Sequence, residues 1–173
     1  MELEKIILRP YYHFEFERAC EIRKLEELDA KNKFWKQFEK SGSWNGHYLT
    51  LAIARNLIKD DGSLQDELVG DMQIRHCEYT MPPGVVEIGC EVAEESRNRG
   101  YGTLALKEVV RILFADGYHR ISGSTAVTNF AMQKTFEKSG FSQEGIMKKL
   151  FLVDGESDEG EDGVDYLSYA ITN

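Results

Sequence analysis

The chain has 173 residues, of which 42% are hydrophobic and 29% are charged, and this composition excludes a disordered or fibrous protein. The formal net charge is −9. Because basic residues form no patch away from one glycine-rich loop, we expect no nucleic-acid binding. The N-terminus does not have the pattern of a signal peptide, and no apolar run approaches the ~20 residues of a membrane span. We therefore expect a cytoplasmic protein that does not bind a membrane and that folds as one domain over residues 1–173.

The hydrophobic pattern predicts strands and helices along most of the chain. In chain order, the predicted elements are a strand at 6–8, helices at 14–28 and 31–40, strands at 48–58, 68–76 and 85–92, a helix at 103–116, a strand at 120–128, a helix at 130–139, and strands at 142–153 and 166–171. The order β-α-α-β-β-β-α-β-α-β-β requires a mixed sheet with helices on both faces, which is an α/β fold.

The stretch from Arg97 to Gly102 has the sequence RNRGYG and lies between a predicted strand and a predicted helix. Gly100 and Gly102 carry no Cβ, so the backbone can turn tightly there and come close to a ligand. The following helix directs unpaired N–H groups and the positive end of its dipole at the same loop. With Arg97 and Arg99, these features predict a site for a phosphorylated cofactor, and a pyrophosphate fits it.

The same glycines also fit the dinucleotide fingerprint G-x-G-x-x-A, with Ala105 as its last residue. That motif needs a glycine directly after the strand and an acidic residue about 20 residues later. Here seven residues separate the predicted strand from Gly100, and the segment 125–128 contains no acid. The dinucleotide interpretation is therefore the weaker one.

Two segments follow one another with a predicted strand between them. The first is VVEIGCEVAEESRNRGYGTLALKEVV, residues 85–110, and the second is TNFAMQKTFEKSGF, residues 128–141. Together they resemble the GNAT superfamily of N-acetyltransferases, whose R/Q-x-x-G-x-G/A loop is matched by Arg97, Gly100 and Gly102. The likeness covers nearly the whole chain and is nearest to the ribosomal-protein N-terminal acetyltransferases (the RimJ/RimL-like branch) and their small-molecule relatives. It implies the GNAT acyl-CoA N-acyltransferase fold and an acyltransferase activity.

The resemblance also implies that the chain binds acetyl-coenzyme A. Backbone N–H groups from Arg97 to Thr103 are implied to hold the pyrophosphate, and the main chain near Val92 to pair with the pantetheine arm. Asn129 is implied on the other side of the arm, and its position before the helix at 130–139 also makes it a good N-cap. The implied cofactor-binding residues are Val92, Arg97, Asn98, Arg99, Gly100, Tyr101, Gly102, Thr103 and Asn129, and no metal is expected.

The family's reaction is a direct attack by a substrate amine on the thioester. A free alkyl amine is mostly protonated near pH 7, so we expect a general base. Glu87 is the first candidate, since this branch often carries a glutamate there, and Glu91 shares its face by strand alternation. Many members place a tyrosine that protonates the leaving thiolate where this chain has Phe136. The acid assignment is therefore open: solvent protonates the thiolate, or Tyr166 or Tyr169 on the last strand takes the place of the missing tyrosine.

Other features leave alternatives open. The acceptor is either a protein N-terminus or a small polyamine-like amine, and the sequence favours neither. Phe136 keeps a second function open, a non-catalytic acetyl-coenzyme A-binding module that acts through a protein partner. The segment 154–165 holds seven acids and no base, and it is either a solvated hairpin tip or a region that attracts a cationic substrate; a calcium site is the least favoured interpretation. A homodimer is the commonest default for quaternary structure.

Overall fold

The computed structural model describes residues 5–58, 61–76, 78, 80–152 and 163–173. Their strands and helices are β1 (Ile6–Arg9), α1 (Phe16–Ile22), α2 (Leu28–Phe38), β2 (Tyr48–Ile58), β3 (Leu64–Arg75), β4 (Val85–Val92), α3 (Tyr101–Ala115), β5 (Arg120–Ala126), α4 (Phe130–Lys138), β6 (Ser142–Leu152) and β7 (Gly163–Thr172). Short 3-10 turns lie before α1 and between β4 and α3. The element order is the predicted one, and the predicted mixed α/β sheet is confirmed.

The strands form a seven-stranded sheet in the order β1-β2-β3-β4-β5-β7-β6. Neighbouring strands are antiparallel except β4 and β5, which are parallel and are joined through α3. The parallel pairing joins only residues 85–87 to residues 120–122, although β4 continues to Val92 and β5 to Ala126. The two strands therefore separate toward their C-terminal ends and leave a gap in the middle of the sheet.

Helices cover the sheet on both faces, as predicted. On one face, α3 and α4 pack on central-strand side chains such as Val86, Ile88 and Ile121. On the other face, α1 and α2 pack on β2 and β3 through an aromatic cluster around Phe34 and Phe38. Since side chains alternate along a strand, Glu87, Gly89 and Glu91 lie on the opposite face of β4, toward α1 and α2.

The first helix is shorter than the predicted range of 14–28. Lys24 adopts a left-handed conformation with φ 54°, and its N–H donates to Glu21 O at 3.0 Å while Leu25 N–H donates to Cys20 O at 2.9 Å. These two bonds form a Schellman ending, which terminates α1 without a glycine. The second helix consequently begins at Leu28 rather than at residue 31.

Three predicted strand ends are also corrected by pairing that the local sequence does not reveal. β3 begins at Leu64 rather than at residue 68, because residues 64–67 pair with the end of β2. β7 extends from Gly163 to Thr172, beyond the predicted 166–171.

Most of the acidic segment lies outside the described residues, but Asp165 accepts hydrogen bonds from Lys148 Nζ at 2.7 Å and from Lys149 N–H at 2.9 Å.

Across the residues that the structure describes, no helix combines the length and the apolar character needed to cross a bilayer.

Candidate active site

The loop after β4 adopts the tight turn that its glycines predicted. Asn98 (φ 61°) and Gly100 (φ 83°) both lie in the left-handed region, which costs glycine little and asparagine less than most residues. Gly100 is the N-cap of α3, which therefore begins at Tyr101 rather than at residue 103. The first hydrogen bond into this helix runs from Leu104 N–H to Gly100 O at 3.0 Å. The N–H groups that precede Leu104 thus have no acceptor within the helix, and this N-terminal end of α3 is suited to bind an anion.

The two arginines of the loop have different surroundings. Arg97 Nε donates to Val92 O at 3.2 Å, and the Arg97 guanidinium pairs with Glu91 at 3.2 Å. This side chain therefore turns back along β4 and fixes the connection between strand and loop. Arg99 is exposed, and so it keeps positive charge at the surface of the loop.

The N-terminal turn of α3 packs tightly against the end of β4. A Cβ on Gly102 would lie 3.4 Å from Thr135 Cγ2 and 3.7 Å from Val92 Cγ2. Ser139 Oγ, at the end of α4, donates to Thr103 O at 3.4 Å. The helix end, the strand end and α4 therefore meet around Gly102, at distances where a Cβ would make ordinary van der Waals contacts.

Main-chain groups at the end of β4 point into the gap. Ala93 N–H donates to Val69 O on the β3 side at 2.9 Å. Because N–H groups of successive residues point to opposite edges of a strand, the N–H groups of Val92 and Cys90 are directed to the other edge, toward β5. This edge is where a ligand that enters the gap meets the main chain of β4.

Asn129 begins α4 on the other side of the gap. Its Oδ1 accepts a hydrogen bond from Met132 N–H at 3.1 Å, so the predicted N-cap role is confirmed. The side-chain amide of Gln133 donates to Val127 O at 2.8 Å and holds the turn between β5 and α4. Asn129 itself is exposed, beside the C-terminal end of β5.

The α1–α2 face of β4, which we call the open face, carries both glutamates that the sequence singled out. Glu87 lies opposite Arg75 of β3 and forms an ion pair with it, while Glu91 pairs with Arg97. Between the two glutamates, Gly89 is exposed and a Cβ there would have no atom within 4 Å. The prediction that both carboxylates share one face is confirmed, and the space between them is open.

Tyr166 lies across the gap from Glu91. In the parallel pair, Glu87 is level with Ser122, so four residues further along each strand Glu91 is level with Ala126. Ala126 in turn pairs with Tyr166 of β7. The side chains of Tyr166 and of the glutamates point to the same face, because the residues that alternate with them point into the α3–α4 core.

Tyr169, the other tyrosine considered as an acid, points to the opposite face. It is fully buried and stacks on Phe136 with ring centroids 5.0 Å apart. Its hydroxyl is buried and has no hydrogen-bond partner among the described residues. Tyr169 is three positions beyond Tyr166, and an odd spacing in a strand reverses the face. Tyr169 is therefore not brought to the two glutamates.

Phe136 lies at the apex of the gap, which is the closed end where β4 and β5 begin to separate. Gly123 directly follows the last residue of β5 that pairs with β4, and a Cβ there would lie 2.6 Å from Phe136 Cζ and 3.2 Å from Ile88 O. The end of the ring, where a tyrosine would carry its hydroxyl, thus faces the main chain at the apex of the gap. Phe136 is only 1% exposed, so the apex is closed by an apolar ring.

The sequence analysis missed Asp71, a buried carboxyl on the same face. Asp71 lies directly opposite Glu91 and is 3% exposed. Tyr11 O–H donates to Asp71 Oδ1 at 2.5 Å, and the Arg23 guanidinium lies 3.8 Å from Oδ2. Burial raises the pKa of Asp71, while Arg23 and Tyr11 act in the opposite direction. The available signal was a single acid within the apolar run LVGDMQI.

A model of the acetyltransferase (GNAT) domain matches residues 6–142, and no curated protein sequence matches the chain. Similar solved structures include an acetyltransferase (GNAT family) from Bacillus anthracis (TM-score 0.71, 19% identity, 99% of this chain and 97% of that chain). Others are the spermidine N-acetyltransferase from Vibrio cholerae in complex with CoA and spermine (0.75, 15%, 97% and 95%) and Mycobacterium smegmatis RimJ in complex with CoA-disulfide (0.68, 23%, 96% and 81%). At these identities the structures show the fold alone. Because the family model covers most of the chain, the protein belongs to the acetyltransferase (GNAT) family, and the predicted acyltransferase class is confirmed.

Proposed function

We propose that the protein transfers an acetyl group from acetyl-coenzyme A to a primary amine by direct attack. The observation that carries this proposal is one continuous arrangement: the anion-binding end of α3 opens into the gap between β4 and β5, and the gap opens onto a face with two carboxylates. The neighbours from V. cholerae and M. smegmatis were solved with CoA and CoA-disulfide, which supports the same co-substrate here.

The donor fits the loop and the gap in one orientation. The N–H groups of residues 98–103 and the exposed Arg99 would hold the pyrophosphate. The N–H of Arg97, which the sequence included among these donors, instead donates to Glu94 O at 3.2 Å. The pantetheine arm would then run into the gap between Val92 and Asn129, beside the main-chain N–H groups of β4. Such N–H donors stabilise the negative charge that develops on the thioester oxygen during acyl transfer.

The acceptor amine would approach from the open face. Its lone pair forms a bond to the thioester carbon, the C–S bond breaks, the nitrogen loses a proton and the leaving thiolate gains one. Because the pyrophosphate lies at the loop, the thioester end of the arm reaches toward the apex of the gap. Glu87 lies on the open face beside that apex and is the first candidate base, with Glu91 as the second. Tyr166 is the candidate proton donor to the thiolate; it is level with Glu91, four residues nearer the loop than Glu87, so it would act together with Glu91 rather than with Glu87.

Two acceptor classes fit this proposal, a protein N-terminus and a small polyamine-like amine. A specific observation also supports a rival of another class, an acetyl-coenzyme A-binding module without turnover. Phe136 is buried at the apex and has no hydroxyl, so the acid that many family members use is missing. The rival predicts co-substrate binding with no transfer to any amine.

The test is thiol release from acetyl-coenzyme A with polyamines, aminoglycosides and N-terminal peptides as acceptors. We expect Glu87→Gln to lower kcat by at least about 100-fold, the lower end of what a general base contributes. Glu108→Gln is the matched control, because Glu108 also pairs with an arginine, Arg111, but lies on α3 away from the gap. Turnover that survives Glu87→Gln unchanged would remove Glu87 as the base. Binding of CoA without release on any amine would favour the rival.

A further inference from the structure

We propose that Arg55 of β2 is a positioning residue for the loop at 97–103, and that it acts through the hydroxyl of Tyr101. This inference rests on the proposed function in one respect, namely that the loop binds the pyrophosphate of coenzyme A. It concerns how the donor N–H groups are held in place, and the residue responsible lies far from the loop in sequence.

Tyr101 is unlike the loop residues that precede it. Residues 97–100 are exposed, whereas Tyr101 is 2% exposed and belongs to the core between α3 and the sheet. It is also the first residue of α3 and directly follows Gly100, which has φ 83°. The buried ring is therefore the point at which an exposed loop is attached to the core, one residue before the donor N–H of Gly102.

Arg55 meets this ring at its polar end. Arg55 Nη1 donates to the Tyr101 hydroxyl at 3.1 Å, and the Arg55 guanidinium carbon lies 5.9 Å from the ring centroid. Arg55 Nε also donates to Glu67 Oε2 at 2.6 Å. The arginine is thus fixed on β2 by its neighbour on β3 while another of its nitrogens contacts the first residue of α3. A hydrogen bond from a charged donor is stronger than one between neutral groups.

This contact sets how the end of α3 sits against the sheet. The loop reaches the helix through left-handed conformations at Asn98 and Gly100, which leave several backbone arrangements within reach. Pyrophosphate binding needs N–H groups that converge on one point, and a displacement of about 1 Å in a binding group is enough to weaken its effect strongly. A bond that holds Tyr101 to β2 restricts those arrangements before the ligand arrives.

The decisive experiment is calorimetric titration of CoA into the wild type, Tyr101→Phe, Arg55→Met and the double variant. We expect Tyr101→Phe to raise the Kd of CoA on the order of tenfold, or about 1.4 kcal/mol, without a matching fall in the melting temperature. Because both residues act through one bond, the double variant should bind no more weakly than Arg55→Met. Glu67→Gln is the matched control, since glutamine keeps an acceptor for Arg55 Nε and leaves the Tyr101 contact while it removes the negative charge; its Kd should stay close to that of the wild type.

The outcomes separate the possible failures. If the wild type does not bind CoA, the proposed function fails. If Arg55→Met weakens binding but Tyr101→Phe does not, then the arginine acts through its charge alone and the positioning role is overturned. A lower melting temperature with an unchanged Kd in Tyr101→Phe would also overturn it, because the hydroxyl would then serve stability only.

Discussion

Replacing Gly123 by alanine tests the packing at the apex of the gap. The added Cβ would lie 2.6 Å from Cζ and 2.8 Å from Cε1 of Phe136, and 3.2 Å from Ile88 O. Carbon atoms in contact prefer a separation of about 3.5–4.0 Å, so the ring or the strand must move by about 1 Å. The ring has little freedom to do so, because it stacks on Tyr169 at 5.0 Å and lies 5.1 Å from Phe141.

The expected cost follows from this lack of freedom. Overpacking a core costs about 1–3 kcal/mol, and we expect the upper part of this range, about 2–3 kcal/mol, because both the ring and the backbone are constrained. For a chain of this size the melting temperature should fall by about 2–4 °C for each kcal/mol. The measurement is equilibrium unfolding in urea, analysed for a change in the midpoint at constant slope.

Gly145→Ala is the matched control for this prediction. Gly145 is also a glycine within a strand of the sheet, on the edge strand β6, but a Cβ there would have no atom within 4 Å. The control should stay within about 0.5 kcal/mol of the wild type. If Gly123→Ala unfolds at the same urea concentration as Gly145→Ala, then Phe136 does not fill the apex. In the double variant with Phe136→Leu, part of the lost stability should return, since the two side chains share one space.

Two further substitutions test the loop and the buried carboxyl. Gly100→Ala and Gly117→Ala force alanine into φ 83° and 92° without a steric clash, so each variant should lose about 1 kcal/mol of stability. Only Gly100→Ala should also weaken CoA binding, as measured by titration. Equal affinities of the two variants for CoA would contradict the loop assignment. The second is Asp71→Asn: burial raises the folded-state pKa of Asp71 above its ordinary 3.8, so the folded protein binds the proton more tightly and the wild type loses stability as pH rises from about 4 through that pKa. The unfolding free energy of the variant minus that of the wild type should therefore rise from pH 4 to pH 7. A difference that does not change with pH would refute the argument.

Much of the fold was predictable because its signals are local. The heptad-like apolar spacing of α3, the N-cap at Asn129 and the glycines of the loop each act within a few residues, and each is found where the sequence predicted it. The early end of α1 at Lys24 was not predictable, because a lysine in the left-handed region is uncommon and no glycine marks the position.

The site residues that were missed depend on contacts between distant segments. Asp71 is understood only beside Tyr11, which is 60 residues away in sequence. Phe136 is buried in the core, but its contact with Gly123 depends on the register of β5 against α4. Pairing of this kind is set by the whole sheet, so a single sequence does not reveal which glycine faces which ring.

The contact between Gly123 and Phe136 also bears on the choice between an enzyme and a binding module. A side chain at residue 123 and an aromatic ring at residue 136 exclude each other, so the two residues act as one packing unit at the apex. The ring fills this space whether or not it carries a hydroxyl. The loop and the two glutamates of the open face depend on other contacts, with Val92, Arg97 and Arg75. A phenylalanine at residue 136 therefore removes one proton donor and leaves the rest of the site as it is, so the rival without turnover rests on that one missing donor.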